Sequence, residues 1–227
     1  MYCLIASKFW TAFAAFMFNY QTLIAGILAV AAAGLAGAPV WRQLRMMRAQ
    51  TEAGFRQIVV DRLKETVARA VEARAFVATP MDDIGRITQY CADGEIPEVD
   101  SQWAFHLESN VTGARQNLEA WASSHRDVGP VEAAKANLID ALKIVESVLY
   151  DVHRPDSTAD MGEDQDISPE VYAEWNAESE IAKGKLGSSS GAVMRSLRAL
   201  EGEYTNLRAS LNQRLRQIDD QIIGGRN

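Results

Sequence analysis

From Thr22 to Trp41 the chain reads TLIAGILAVAAAGLAGAPVW and carries no charged side chain. Roughly 20 residues at about 1.5 Å each cover ~30 Å, the thickness of a bilayer's hydrocarbon core. In that medium each backbone N–H and C=O must find its partner within the chain, so such a run is read as a helix. Tyr20 and Trp41 bracket it as interfacial aromatics do. The expectation is a transmembrane helix at 22–41, preceded by an apolar, aromatic segment at 1–21. In that segment Phe9, Phe13, Phe16 and Tyr20 recur at helical spacing. Two readings stay open there: a stripe lying in the membrane interface, or translation that begins at Met17.

Basic residues set the expected orientation. Lys8 is the only charge up to Trp41, and Arg42, Arg45, Arg48 and Arg56 follow it. An excess of arginine marks the cytoplasmic side, which places the long C-terminal part in the cytoplasm at an inner membrane. A cleaved signal peptide competes, because Ala29-Val30-Ala31 has the small-x-small form of a cleavage site. The length of the run, its weakly basic start and the arginines directly after it speak against cleavage. Cys3 and Cys91 fall on opposite sides of the run, so free thiols are expected rather than a bridge.

All 30 acidic residues and all but one of the 23 basic ones lie beyond Trp41, which makes that part net acidic. An acidic surface repels phosphate backbones, so no nucleic-acid partner is expected. The pattern there is helical throughout. Leu44, Met47, Phe55, Ile58, Val59, Leu63, Val67, Ala70, Val71 and Val77 follow one helical period, and Thr79-Pro80 reads as an N-cap and first turn that restart the chain. Ala92-Asp93-Gly94 and Ile96-Pro97 mark a turn, with Asp100 or Ser101 capping the next helix. Trp103, Leu107, Val111, Ala114, Leu118 and Trp121 form its apolar face. After Gly129-Pro130, Val131, Ala134, Leu138, Leu142, Val145, Leu149 and Val152 form another, widened by Ile139, Ile144 and Val148. A helix so apolar around its girth belongs at the centre of a packed core. These elements make 42–153 the expected helical bundle domain.

Residues 154–168 are rich in Asp and Glu and read as an acidic loop. Ser168-Pro169-Glu170 opens a short helix over 169–183, and GKLGSSSG at 184–191 reads as a flexible linker. The last helix, 192–223, places Val193, Leu197, Leu200, Tyr204, Leu207 and Leu211 in the rhythm of a coiled coil. Arg214 stands where the heptad next wants an apolar residue, and the series slips to Leu215, Ile218 and Ile222. The fold class is therefore all-α: an N-terminal transmembrane helix, then a helical bundle or coiled-coil-like soluble domain.

No spacing supports chemistry. A helical di-iron site wants Glu three residues before His, yet Trp103, Ala122 and Tyr150 precede His106, His125 and His153. Neither His-Glu-x-x-His nor Cys-x-x-Cys occurs. Gly184-Lys185 lacks the following Ser or Thr and the preceding strand of a P-loop. Asp160, Glu163, Asp164 and Asp166 lack EF-hand spacing. The sequon Asn110-Val111-Thr112 falls inside a helix on the cytoplasmic side. Trp103, Trp121 and Trp175 are read as core or packing residues. The sequence thus assigns no catalytic, cofactor-binding or metal-ligating residue, no cofactor and no enzyme activity.

Asn19-Tyr20-Gln21-Thr22-Leu23-Ile24-Ala25-Gly26, followed by an apolar run and Arg42-Gln43, resembles the opening of uncharacterised bacterial single-pass inner-membrane proteins. The resemblance covers about thirty residues and implies one anchor with a helical cytoplasmic part. Ala25, Ala29, Ala33 and Gly37 recur every four residues, the spacing at which two spans approach closely. Expected partners are thus the lipid bilayer, an unidentified protein, and a second copy met through the anchor and the C-terminal helix. The leading function is a membrane-anchored interaction or scaffold protein. A membrane-linked signalling or regulatory subunit, and an envelope-spanning, spanin-like protein with the helices outside the cytoplasm, are the alternatives.

Overall fold

The computed structural model describes residues 2–93, 99–127, 129–159 and 168–224. They are almost wholly helical, in the order α1 (Tyr2–Ala92), α2 (Ser101–Ser124), α3 (Gly129–Ala159) and α4 (Pro169–Gly224), and no strand occurs among them. The chain divides into two compact units, Met1–Ile58 with Ile218–Asn227, and Val59–Gln217.

The first unit holds the long apolar stretch near the N-terminus. An 18-residue window of α1 has a mean hydropathy of 2.1 with none of it buried, so by length and composition this helix is able to cross a membrane. Leu23, Ile27, Leu28, Val30 and Leu35 are all more than 60% exposed. Beyond Trp41, Arg56 pairs with Asp219 in this unit at 2.8 Å.

The second unit is built around one apolar core. Ile84, Ile87, Leu107, Leu118, Leu138, Leu142, Leu149, Leu186 and Leu200, drawn from all four helices, are each at most 1% exposed. Successive helices alternate in direction. α2 returns along α1, with Trp103 beside Ile87 at one end and the Trp121 indole N–H donating to Glu72 at the other. α3 returns along α2, pairing Glu146 with Arg115 and His153 with Glu108. α4 returns along α3, where the Ser179 hydroxyl donates to the Val152 carbonyl. It then passes α1, with Gly187 against Cys91 and Glu201 near Arg74.

The caps follow the sequence. The Asp100 carboxylate accepts from the Gln102 N–H at 3.3 Å, and the Ser168 hydroxyl accepts from the Val171 N–H ahead of Pro169. The expected faces of α2 and α3 bury as spaced, except that Trp103 and Ile139 are half-buried and Ile144 stays 56% exposed.

Three expectations are corrected. Thr79-Pro80 does not restart the chain: α1 continues through it to Ala92. Pro80 is buried on a face that also carries Val59, Leu63, Thr66, Ala70, Ala73, Val77, Ile84 and Ile87, alternating steps of four and three. A proline inside a helix costs about 3 kcal/mol. Burying Val77, Ile84 and Ile87 on one unbroken face returns ~1.5–3 kcal/mol each, so continuity wins. The second correction concerns 184–191, which is helical within α4 rather than a linker. Ser189, Ser190 and Gly191 are buried there, and a Cβ on Gly187 would lie 2.6 Å from the Cys91 Cβ. Small residues let α4 approach α1 closely, and that packing overrides their poor helix propensity. Third, 169–183 and 192–223 are not separate helices but parts of α4, and α3 extends through Pro155 to Ala159. The expected acidic loop beyond Ala159 and the expected turn at Gly94 to Pro97 lie outside the described residues.

Candidate functional site

The densest polar constellation forms where α2 hands over to α3. α2 closes on Trp121, whose carbonyl accepts from the His125 N–H at 3.1 Å and from the Ser124 hydroxyl at 2.9 Å. The chain leaves the helix at His125, and α3 begins at Gly129. Glu132, in the first turn of α3, reaches back to accept from the Asp127 N–H. That bond orients Asp127 inward, and its carboxylate is 7% exposed.

Three helices converge on this carboxylate. Arg69 of α1 donates to Oδ1, while Lys135 of α3 at 2.6 Å and the Tyr204 hydroxyl of α4 at 3.0 Å meet Oδ2. Lys135 is 1% exposed. Its ammonium also donates to the His125 carbonyl at 2.8 Å and to Glu132 at 3.3 Å, and it sits 4.5 Å from the Trp121 ring. His125 stacks on that ring from the loop side. Arg69 reaches the Arg126 carbonyl at 3.1 Å and Glu65 as well.

Electrostatics fit a closed clasp. Burial alone would raise the Asp127 carboxyl, but hydrogen bonds from Lys135, Arg69 and Tyr204 outweigh it and hold the group below the usual carboxylate range. Burial beside Asp127 pushes the Tyr204 phenol far above its ordinary value. A carboxylate so well paired is a poor base, and a phenol so shifted is a poor acid. The carboxylates already face arginine or lysine, which compete with any metal ion. A solvent-open cleft of about 330 Å³ adjoins the clasp between Arg62, Arg126, Leu207 and Leu211.

A second network ties α2 to α3. Glu146 accepts from the Arg115 Nε at 2.5 Å and from the Thr112 hydroxyl at 2.8 Å, and Lys143 pairs with Glu119 at 3.1 Å. The Arg115 hydrogen bond, working against burial, holds Glu146 below its ordinary range.

The histidines do not assemble. His106 is exposed, His125 lies on Trp121, and His153 is buried with Nε2 on Glu108 at 2.8 Å between Phe105 and Tyr150. No group of three or more His, Cys, Asp or Glu able to hold a metal ion occurs among the described residues. Lys185 is exposed in mid-helix, and its carbonyl accepts from Ser188 and Ser189. Trp121 is 6% exposed, Trp103 packs partly against the core, and Trp175 lies 4.4 Å from the Arg154 guanidinium. Cys91 is a free thiol, half-buried against Gly187. Asp160, Glu163, Asp164 and Asp166 lie outside the described residues.

Spacing arguments missed Asp127, Lys135, Arg69 and Tyr204. One signal was present: Lys135 falls between Val131, Ala134 and Leu138 on the apolar face of α3, and a lysine inside such a face must be paired. No family model, curated protein or solved structure matches the chain.

Proposed function

We propose that the chain is a membrane-tethered interaction or scaffold protein, in which the apolar part of α1 anchors a four-helix bundle on the cytoplasmic face. One observation carries the reading: an apolar stretch of α1 with none of it buried belongs to the same chain as a second unit whose densest inner polar cluster, Asp127 with Lys135 and Tyr204, is engaged within itself. Lipid is the medium that accommodates the first. The second leaves its outer helix faces, rather than an interior cavity, to meet partners. The arginines after Trp41 support a cytoplasmic bundle.

Two assays on the full chain test this. Membranes extracted with alkaline carbonate should retain the protein, and release into the supernatant would refute the anchor. Topology is read with a membrane-impermeant maleimide on Ser188→Cys, an exposed site, in a Cys3→Ala and Cys91→Ala background. Labelling only after permeabilisation is expected. Labelling of intact cells would put the bundle outside the cytoplasm and favour an envelope-spanning role.

A signalling role is the second reading, and the unbroken helical hydrogen bonding of α1 across Trp41 favours it. A two-proline insertion after Gln50 should then abolish output, and unchanged output would sink it.

A further inference from the structure

The stretch of α1 after Trp41 leaves large apolar side chains in water. Trp41 is 70% exposed, Leu44 48%, Met47 61%, Phe55 58% and Ile58 57%. At about 100° per residue, these five and Thr51 share one arc of roughly 120°. Arg48 alone interrupts it, at one edge, and Gly54 adjoins the other. Arg42, Arg45, Glu52 and Arg56 lie on the remaining girth, as do Gln43, Gln50 and Gln57. Among the described residues these side chains stay exposed, and a Cβ on Gly54 would meet nothing within 4 Å.

Three observations say what covers it. Lipid does not: α1 stays helical past Trp41, so Phe55 and Ile58 stand roughly 20 Å further along its axis, beyond the interfacial layer. The partner must also run alongside the apolar stretch. Carried back through the same helix, the arc takes in Gly26, Ala29, Ala33 and Gly37 together with Thr22, Val30 and Val40, with Leu23 at the edge that Trp41 marks, while Ile27, Leu28 and Leu35 lie elsewhere on the girth. Small residues within the bilayer permit close approach, and large apolar residues beyond it supply the water-driven burial that lipid cannot. A helix that is apolar for the same length and then amphipathic on the matching face, at the same depth, is a second copy of this chain. Charge agrees with this occupant, because the arc is bordered by uncharged glutamines on one side and by charges of both signs, Arg45, Arg48 and Glu52, on the other.

We infer that two copies associate in parallel along this face of α1, with Trp41, Leu44, Met47, Thr51, Phe55 and Ile58 forming the water-side half of the contact. The inference rests on the membrane-anchor reading and names the partner of that same helix.

Single cysteines in the full chain test it, in the Cys3→Ala and Cys91→Ala background and in native membranes. A disulfide forms only where Cα atoms come within about 7 Å. Ala33→Cys and Thr51→Cys lie on the proposed face; Ala31→Cys and Ala49→Cys are matched small sites on the far side. Mild oxidation should give severalfold more covalent dimer at positions 33 and 51 than at 31 and 49. Equal yields on both faces, no dimer at 51, or a 51 adduct to a different protein would overturn the pairing. Carbonate extraction of the same membranes separates the two claims. A retained protein with no face preference refutes the pairing and leaves the anchor standing. A released protein that still pairs through 51 and not 49 refutes the anchor and supports the water-side contact.

Discussion

Asp127→Asn is the sharpest test of the clasp. The substitution keeps size and shape, but it removes the charge that Arg69 and Lys135 share and turns one acceptor into a donor facing them. Lys135, at 1% exposed, then keeps its positive charge in the core with only the His125 carbonyl, Glu132 and the Trp121 ring for partners. Breaking a buried pair from one side costs about 3–5 kcal/mol. The contacts that remain on Lys135 put this case near the lower end, about 3 kcal/mol. For a unit of this size 1 kcal/mol shifts the melting temperature by about 2–4 °C, so a fall of roughly 6–12 °C is expected. The assay is thermal melting of the full chain in detergent, followed by circular dichroism. The double variant Asp127→Asn with Lys135→Met removes both charges. Its loss should be at least ~1 kcal/mol smaller than the sum of the two single losses. A single variant within about 1 kcal/mol of the parent, or strict additivity in the double, would refute the clasp as described. The same geometry sets a pH dependence. Folding depresses the Asp127 pKa, so its contribution is fully present above the unfolded value, near 3.9, and is lost as pH falls through the lower folded value. Acid unfolding of the parent should therefore gain part of its steepness below about pH 4 from this residue, and Asp127→Asn should flatten that limb.

Other substitutions probe the packing. Gly187→Ala should destabilise by about 1–3 kcal/mol despite its better helix propensity, because its Cβ meets the Cys91 Cβ at 2.6 Å. Cys91→Gly should relieve that penalty whereas Cys91→Ala should not, and equal rescue by both in denaturant melts would contradict the contact. Gly184→Ala, three residues earlier and with nothing near its Cβ, should instead stabilise by about 0.5–1 kcal/mol. Ser190→Ala removes a buried hydroxyl that has no hydrogen-bond partner among the described residues, so its stability should hold or rise by ~1 kcal/mol, and a clear loss would reveal a hidden partner. Leu138→Ala should cost about 2–5 kcal/mol while Ile144→Ser stays within ~0.5 kcal/mol, a contrast that thermal melts read directly.

How far the fold was legible depended on residue size. Leu107, Leu118, Leu138, Leu142 and Leu149 are large, evenly spaced and buried, so the faces of α2 and α3 followed from period alone. On α1 the period served only in part. Val59, Leu63, Ala70 and Val77 lie on the core face as spaced, but that face also uses Thr66, Ala73 and Pro80, small or polar, while Val67 and Val71 point outward at 39% and 65% exposure. Hydrophobicity marks burial only when the packing distance calls for a large side chain. Where α4 comes within contact of α1, glycine and serine are the core residues, and GKLGSSSG reads as a linker for that reason. Arg214 shows the opposite case. Its exposure, with Leu215, Ile218 and Ile222 half-buried, was legible because a lone arginine in an apolar series forces the register to slip. The clasp stayed illegible because Arg69, Asp127, Lys135 and Tyr204 are spread along the chain and meet only when α1, α3 and α4 close on the α2–α3 loop.

The clasp also bears on where function resides. It joins the α2–α3 loop to α1, α3 and α4, so the end of the core at which it lies cannot open without exposing Lys135 or stranding Asp127. A cleft that must open to admit a ligand would work against that cost, about 3–5 kcal/mol for the pair alone. Surfaces outside the core face no such barrier. The arc from Trp41 to Ile58 keeps its large apolar side chains in water before any partner arrives, and burying each returns ~1.5–3 kcal/mol without disturbing the core. The proposed pairing along that arc therefore leaves the clasp closed, and the face-selective cross-linking of Thr51→Cys over Ala49→Cys is the measurement that reads it.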